Sequence, residues 1–102
     1  MERLAMAVVV HTVHPVQGDL RKSYDEVWRQ LDEAGLTHPP GRQIHVAWVD
    51  GDVFHVVDVW NSPAEQESFV QNQLGPLLGE AGIGLTGEPE VRELLRVVIR
   101  PD

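Results

Sequence analysis

The first hydrophobic segment of the chain is an almost unbroken, β-branched run, Leu4–Val13, which predicts a strand buried on both faces. A capping box formed by Ser23 and Glu26 then predicts the start of a helix, and Gly35 is a suitable end for it. The apolar side chains between these signals recur at helical spacing: Tyr24, Val27, Trp28, Leu31 and Ala34.

Two runs of β-forming residues, Gln43–Val49 and Val53–Trp60, flank an Asp-Gly turn and predict a β-hairpin. A second capping box, Ser62–Glu65, predicts a second helix with Pro63 in its first turn. Gly75-Pro76 is expected to break that helix and leave a short extra turn over Pro76–Ala81. The apolar stripe of this helix is Phe69, Val70, Leu74, Leu77 and Leu78.

A last apolar run, Val91–Ile99, predicts the final strand, so the order of elements is β-α-β-β-α-β. This is the ferredoxin-like arrangement of the α+β class, with a four-stranded antiparallel sheet and two helices on one face. The whole length of 102 residues forms a single domain in this interpretation.

The hairpin turn also predicts which strand residues share a face. If Asp50 and Gly51 are the two turn residues, Val49 pairs with Asp52. One face then carries the mixture of aromatic and polar groups that ligand pockets often have: His45, Ala47, Phe54, Val56, Asp58 and Trp60. The other face is more uniformly apolar and is expected to pack on the helices: Ile44, Val46, Trp48, Val53, His55, Val57 and Val59. A three-residue turn would shift the register by one residue and exchange partners across the hairpin.

The sheet face away from the helices should be polar in a monomer, but the first and third predicted strands are apolar on both sides. A bare apolar face of this size indicates an interface. We therefore predict a homodimer in which two sheets pack face to face. The alternative is that the C-terminal strand or long loops of the same chain cover this face.

Charge and cysteine content narrow the possible functions. Eight Lys and Arg against 16 Asp and Glu give a formal charge of −8, which argues against nucleic acid or an anionic membrane as a partner. The absence of cysteine excludes disulfides, thiolate metal sites and cysteine catalysis. The apolar run Leu4–Val10 is too short to span a bilayer and lacks a cleavage-site pattern, so a cytoplasmic protein is expected.

Particular segments, together with the element order, resemble the dimeric α/β-barrel superfamily: His45–Ala47, Val56–Ser62, Phe69 and Leu74–Leu77. Its members include antibiotic biosynthesis monooxygenase-like proteins, small polyketide cyclases, muconolactone isomerase-like proteins and stress-responsive barrel proteins. The resemblance covers nearly the whole chain and implies a fold and a pocket in each subunit rather than one reaction. The haem-degrading branch has a histidine on the second helix, and Pro63–Leu74 contains none, so haem is not expected.

His45 and Asp58 are the candidate catalytic pair. In an apolar pocket the carboxylate can orient and charge the imidazole, which can then act as a general acid or base near neutral pH. The structural alternative is that Asp58 caps backbone or pairs with an arginine while His45 is an ordinary interior residue. Phe54 and Trp60 are predicted either to form an aromatic wall for a planar substrate or to belong to the interface core.

His11 and Arg96 are further candidates for substrate binding. His11 lies on the first strand, which is central in this fold, and could add a polar group to the pocket. His14 points to the opposite side, so the two do not form a metal pair. Arg96 shares a side of the last strand with Arg92 and Arg100 and could hold an enolate or carboxylate, although such a stripe can simply protect an edge strand.

No cofactor or metal is predicted. A metal site needs three converging ligands, which the five histidines do not obviously supply. The segment Gly82–Gly87 matches G-x-G-x-x-G, but a dinucleotide site requires a preceding strand and a following helix, and here a helix precedes it.

Three hypotheses of function remain. The first is a cofactor-free enzyme that transfers protons on an apolar, aromatic or polyketide-like molecule, in a cyclisation, an isomerisation or a cofactor-independent monooxygenation. The second is a non-catalytic dimeric module that binds a small ligand or assists a larger assembly. The third, a haem or metal oxygenase, predicts a coloured or metal-loaded protein as purified.

Overall fold

The computed structural model describes residues 6–16, 18–81 and 88–100, and its elements follow the predicted order. The second helix is one continuous rod of three segments, two α-helical parts joined by a π-helical turn. The elements are β1 (Val8–Pro15), α1 (Leu20–Glu33), β2 (Arg42–Asp50), β3 (Val53–Trp60), α2 (Pro63–Phe69), the π turn (Val70–Leu74), α3 (Gly75–Ala81) and β4 (Glu90–Glu93).

The four strands form one antiparallel sheet in the order β2-β3-β1-β4. This confirms the ferredoxin-like fold and places β1 and β3 in the centre. The helices cover one face of the sheet, and the core lies between the two layers: Val8, Val10, Val27, Leu31, Trp60, Phe69 and Leu78 are all buried. No described helix is long and apolar enough to cross a membrane.

The hairpin register differs from the prediction by two residues. Asp50 pairs with Val53, so Gly51 and Asp52 are the turn residues. Gly51 has a φ of +61°, which matches the glycine at the first central position of a type II′ turn. A shift of two leaves the side-chain parity unchanged, so the predicted grouping of residues into two faces is confirmed. The shift also places His45 directly opposite Asp58.

The expectation of which face packs on the helices was wrong. The face that contains Phe54 and Trp60 meets the helices, since both side chains are buried and Trp60 packs on Phe69. The more uniformly apolar face is open in a single chain, where Val46 keeps 47% and Trp48 43% of its surface exposed. Residue hydrophobicity gave the wrong prediction because the exposed face of the sheet is as apolar as a protein core.

The two helix starts were predicted with different success. Ser62 caps α2 as predicted: its hydroxyl accepts a bond from the Glu65 N–H. The cap of α1 is Asp19 rather than Ser23, and its carboxylate accepts a bond from the Lys22 N–H. Because Asp19 lies about one turn before the apolar stripe of α1, the helix begins one turn earlier than predicted.

Gly75-Pro76 does not break the second helix. The π turn widens the backbone just before Pro76, and the Gly75 N–H bonds to the Val70 carbonyl five residues earlier. The wider turn accommodates a proline that would otherwise clash inside an α-helix. Gly75 allows this close approach, because a Cβ on it would lie 2.8 Å from the Val70 carbonyl oxygen.

The first and last strands of the chain also depart from their predicted limits. Strand β1 runs from Val8 to Pro15 rather than Leu4 to Val13, and residues 4 and 5 lie outside the described part of the chain. Strand β4 ends at Glu93, well short of the predicted end at Ile99. The segment beyond it, residues 94–100, has no regular secondary structure and leaves apolar side chains in solvent, including Leu95, Val98 and Ile99. The Gly82–Gly87 motif lies outside the described residues.

We expect Gly75→Ala to destabilise the fold by about 1–3 kcal/mol, because the added methyl group overpacks the π turn. In an ordinary helix the same change stabilises by up to about 1 kcal/mol. Denaturant unfolding measures the sign directly. Gln71→Ala, at an exposed position of the same rod, is the control and should change stability by less than about 0.5 kcal/mol. A stabilised Gly75→Ala variant would contradict the argument.

Candidate functional site

A cavity of about 300 Å³ lies between the helices and the sheet. Its walls are mainly apolar side chains from β1, β3, α1 and the second helical rod: Val10, Val27, Leu31, Phe54, Val56, Val70, Leu74 and Leu78. Polar groups interrupt these walls at a few places: Thr12, His14, Tyr24, Arg42, His45, Asp58 and Gln66. An apolar cavity with a few convergent polar groups is the usual form of a small-molecule site.

His45 and Asp58 meet in this cavity as the sequence predicted. Their directly paired positions on β2 and β3 bring His45 Nδ1 to 2.6 Å from Asp58 Oδ1. The side chains are largely buried, with 21% and 17% of their surfaces exposed. A carboxylate accepts a hydrogen bond from the Nδ1–H, so that in the neutral imidazole Nε2 is the nitrogen that can accept a proton.

Tyr24 completes a chain of three side chains. Its hydroxyl oxygen lies 2.6 Å from His45 Nε2, and its ring meets the His45 ring edge-on. With a neutral imidazole, the phenol donates to Nε2 while Nδ1–H donates to Asp58. The order Asp58, His45, Tyr24 can therefore carry a proton between the cavity and the buried carboxylate–imidazole pair.

The surroundings of Tyr24 raise the pKa of its hydroxyl group. Burial is the main cause that raises the pKa of Tyr24, and the charge of Asp58 raises it further. A hydrogen bond from Trp28 and the charge of Arg42 offset part of this rise. The phenol is therefore protonated at neutral pH and acts first as a proton donor.

Arg42 lies at one end of the cavity, inside a cluster of aromatic rings. Its guanidinium carbon lies 5.3 Å from the centre of the Trp28 ring, 6.0 Å from that of Trp60 and 5.6 Å from that of Phe69. One guanidinium nitrogen donates to the Thr37 carbonyl at 2.8 Å. Burial lowers the pKa of Arg42, partly offset by the charge of Asp58, and the group still carries its charge at neutral pH.

The structure brings together only some of the predicted binding residues. Phe54 lines the cavity beside Tyr24, with ring centres 5.6 Å apart. Trp60 lies behind the wall in the core, with 1% of its surface exposed. His11 points to the bare sheet face, where its Nε2 lies 3.2 Å from His55 Nδ1. Arg96 lies beyond β4, exposed and outside the cavity.

Five polar residues of the cavity were not assigned to it from the sequence: Thr12, His14, Tyr24, Arg42 and Gln66. Tyr24 was counted in the apolar stripe of α1, although its hydroxyl was a signal that this stripe could serve a site. His14 was predicted to point away from His11, and it does. Its side chain therefore lies in the cavity, where its ring is 6.3 Å from that of Phe54. Arg42 carried no signal, because its direction depends on a β-bulge between Arg42 and Ile44.

Metal-ligating side chains do not cluster in the described parts of the chain: no three histidines or acidic residues there could share an ion. His11 and His14 lie on opposite faces of β1, as predicted. The polar groups that line the cavity are hydroxyl, imidazole, carboxylate, amide and guanidinium groups.

No family model matches the chain, and no curated protein sequence is significantly similar to it. Solved structures are similar. A mutant of SnoaB, a cofactor-independent oxygenase from Streptomyces nogalater, has a TM-score of 0.65 at 15% identity, over 94% of this chain and 100% of that one. A Chloroflexus aurantiacus protein with the provisional description antibiotic biosynthesis monooxygenase has a TM-score of 0.66 at 13% identity, over 90% and 96%. The fold is that of the antibiotic biosynthesis monooxygenase-like proteins.

The same fold also belongs to proteins without an assigned reaction. A protein of unknown function from Nitrosomonas europaea has a TM-score of 0.65 at 14% identity, over 98% of this chain and 100% of that one. Similarity at this level establishes a shared fold and leaves the reaction to the side chains of each cavity.

We expect Tyr24 to ionise above the usual value of about 10 for a tyrosine, and Asp58→Asn to lower its pKa. Tyr24 is the only tyrosine, so the phenolate absorbance in an alkaline titration reports on it alone. Because the unfolded chain loses this proton at lower pH, the free energy of unfolding should fall as pH rises past about 10. A wild-type pKa at or below the usual value would contradict the geometry.

Proposed function

We propose that the cavity binds an apolar, aromatic small molecule and that Tyr24, His45 and Asp58 move a proton to or from it without a cofactor. The observation that carries this proposal is the pair of 2.6 Å contacts that link the three side chains beside an apolar cavity. The same arrangement would serve a cyclisation, an isomerisation or any reaction that begins with the removal of a weakly acidic proton.

His45 is the central acid and base of this proposal. It takes the Tyr24 proton as Tyr24 accepts one from the bound molecule, and Asp58 stabilises the imidazolium that forms. The apolar walls exclude water and strengthen these interactions. Phe54 provides an aromatic surface against which a planar molecule can pack.

Cofactor-independent monooxygenation is the second candidate, and the similarity in fold to SnoaB, a cofactor-independent oxygenase, favours it. In such a reaction the protein only removes a proton, and the resulting carbanion reacts with oxygen. A methylene group and one O2 then give a carbonyl group and one water, so the substrate itself supplies the electrons.

Anthrone, a three-ring ketone with an acidic methylene group, is a test substrate for both proton transfer and monooxygenation. Under nitrogen in D2O, we expect the protein to accelerate exchange of the methylene protons, measured by NMR. Under air, conversion to anthraquinone with oxygen uptake would support the monooxygenase form. Absence of any acceleration over buffer in either experiment would count against proton transfer on such molecules and favour a non-catalytic binding module.

We expect His45→Ala and Tyr24→Phe each to lower the exchange rate by about a hundredfold or more, because each removes one step of the proton path. His38→Ala, in the exposed loop before β2, is the matched control and should retain the wild-type rate. Circular dichroism confirms that each variant is folded. Full activity in a folded His45→Ala variant would overturn the assignment.

We further propose that the protein is a homodimer whose bare sheet faces pack together. Large apolar side chains remain exposed on this face, including Val13, Ile44, Val46 and Trp48. The segment after β4 adds Leu95, which is fully exposed at 102%. Exposed apolar surface of this extent is rare in monomers, and a second copy offers the complementary apolar face.

Light scattering should give a mass near twice 11.4 kDa for the wild type. Val46→Lys should shift the mass towards the monomer, because the interface would have to bury an unpaired ammonium group. Gln71→Lys adds the same charge on the exposed helix surface and should leave the mass unchanged. A monomeric wild type at all concentrations would rule out the dimer.

A further inference from the structure

Arg42 differs from a surface arginine: within the part of the chain that the structure describes, it has no carboxylate partner. Arg29, on α1, pairs with Glu26 at 2.6 Å and with Glu33 at 2.7 Å. Among the described residues, no carboxylate lies within ion-pair distance of the Arg42 guanidinium, and its hydrogen bond goes to a backbone carbonyl at Thr37. The side chain is nevertheless half-buried beside the cavity.

A half-buried cation without an anion is unfavourable. A guanidinium has five N–H donors, and removing it from water costs free energy unless these donors and the charge are compensated. The faces of Trp28, Trp60 and Phe69 offset part of this cost through cation–π interactions. They cannot accept hydrogen bonds in the guanidinium plane, so the planar donor edge keeps its capacity to bind an anion.

The backbone of β2 is bent in a way that directs this cation into the cavity. Even-numbered residues of β2, such as Ile44 and Val46, lie on the bare face. Arg42 would join them in a regular strand, but the bulge inserts Gln43 and pairs Arg42 with Trp60, whose side chain faces the helices. Bulges of this kind re-aim side chains beside functional sites. Gln43 is itself held by a 2.8 Å bond from its amide nitrogen to Asn61 Oδ1.

We propose that the ligand of the cavity is a carboxylic acid, whose carboxylate is held by the Arg42 guanidinium while its apolar body lies along the cavity towards Tyr24 and His45. This inference rests on the proposed function and specifies its ligand class. A planar carboxylate matches the fork of a guanidinium with two parallel hydrogen bonds. Asp58 acts on Arg42 through its charge but forms no ion pair with it, because its Oδ1 atom is bonded to His45 Nδ1.

Two matched probes test the inference: 2-naphthoate and its neutral amide, 2-naphthamide. Titration calorimetry at pH 7 should show the acid, ionised at this pH, binding the wild type at least about tenfold more tightly than the amide, as one charge-assisted contact predicts. Arg42→Gln should remove most of this preference while keeping an amide donor for the Thr37 carbonyl. Arg29→Gln, the same substitution on the exposed face of α1, should keep the full preference.

Equal affinity of the wild type for the two probes would overturn the inference and leave the proton-transfer proposal standing, since anthrone exchange tests that proposal separately. Failure of both probes to bind would overturn the inference and the cavity as a site for aromatic molecules. A folded Arg42→Gln variant that still prefers the acid would show that Arg42 does not hold the carboxylate. If Arg42→Gln does not fold, the acid-to-amide ratio of the wild type alone decides.

Discussion

The pairing of β2 with β3 is the constraint on which the candidate site depends. The turn at Gly51-Asp52 sets this register and places His45 directly opposite Asp58, on the face that the helices cover. A slip of one residue would turn His45 to the bare face, where it could not reach Tyr24. A slip of two would keep the face but separate the imidazole from its carboxylate by a diagonal step across the sheet. The chemistry of the cavity is therefore fixed by a backbone feature at the far end of the hairpin.

The element order and the grouping of strand residues into two faces could be predicted from the sequence, because both follow from local periodicity. The face that meets the helices could not be predicted in the same way. Val46 and Trp48 are as apolar as core residues, and a local pattern does not distinguish burial against helices from exposure on a surface suited to a second copy. The site was predicted in part for the same reason: His45 and Asp58 follow from parity alone. The prediction that His11 lines the cavity was wrong because its side chain lies on the other face of β1. The prediction for Arg96 was wrong because β4 ends at Glu93, before this residue.

The features that local rules could not predict lie close together at one end of the cavity. The bulge turns Arg42 towards the helices, beside Trp60 on the neighbouring strand. Among the described residues, Arg42 has no carboxylate partner, and the buried indole N–H of Trp60 has no acceptor within the structure. A regular strand with an apolar residue at position 42 would avoid the bulge and the unpaired cation. Departures from local regularity that cost stability are expected where a protein maintains a binding site.

The π turn is a second departure of this type, and it affects the cavity from the helical side. Val70 and Leu74 bound this turn and both line the cavity, while Leu78 follows one turn later. In a regular α-helix each residue after the turn would be rotated by about 100° relative to its present position, since the π turn adds one residue to the rod. Gly75-Pro76 thus shapes the apolar wall, whereas the bulge at Gln43 positions the charge. One extra residue in a helix and one in a strand thus give the cavity of this two-layer fold its apolar wall and its charged end. Fold similarity at 12–16% identity does not reveal such insertions, which is why the reaction has to be argued from this chain's own side chains.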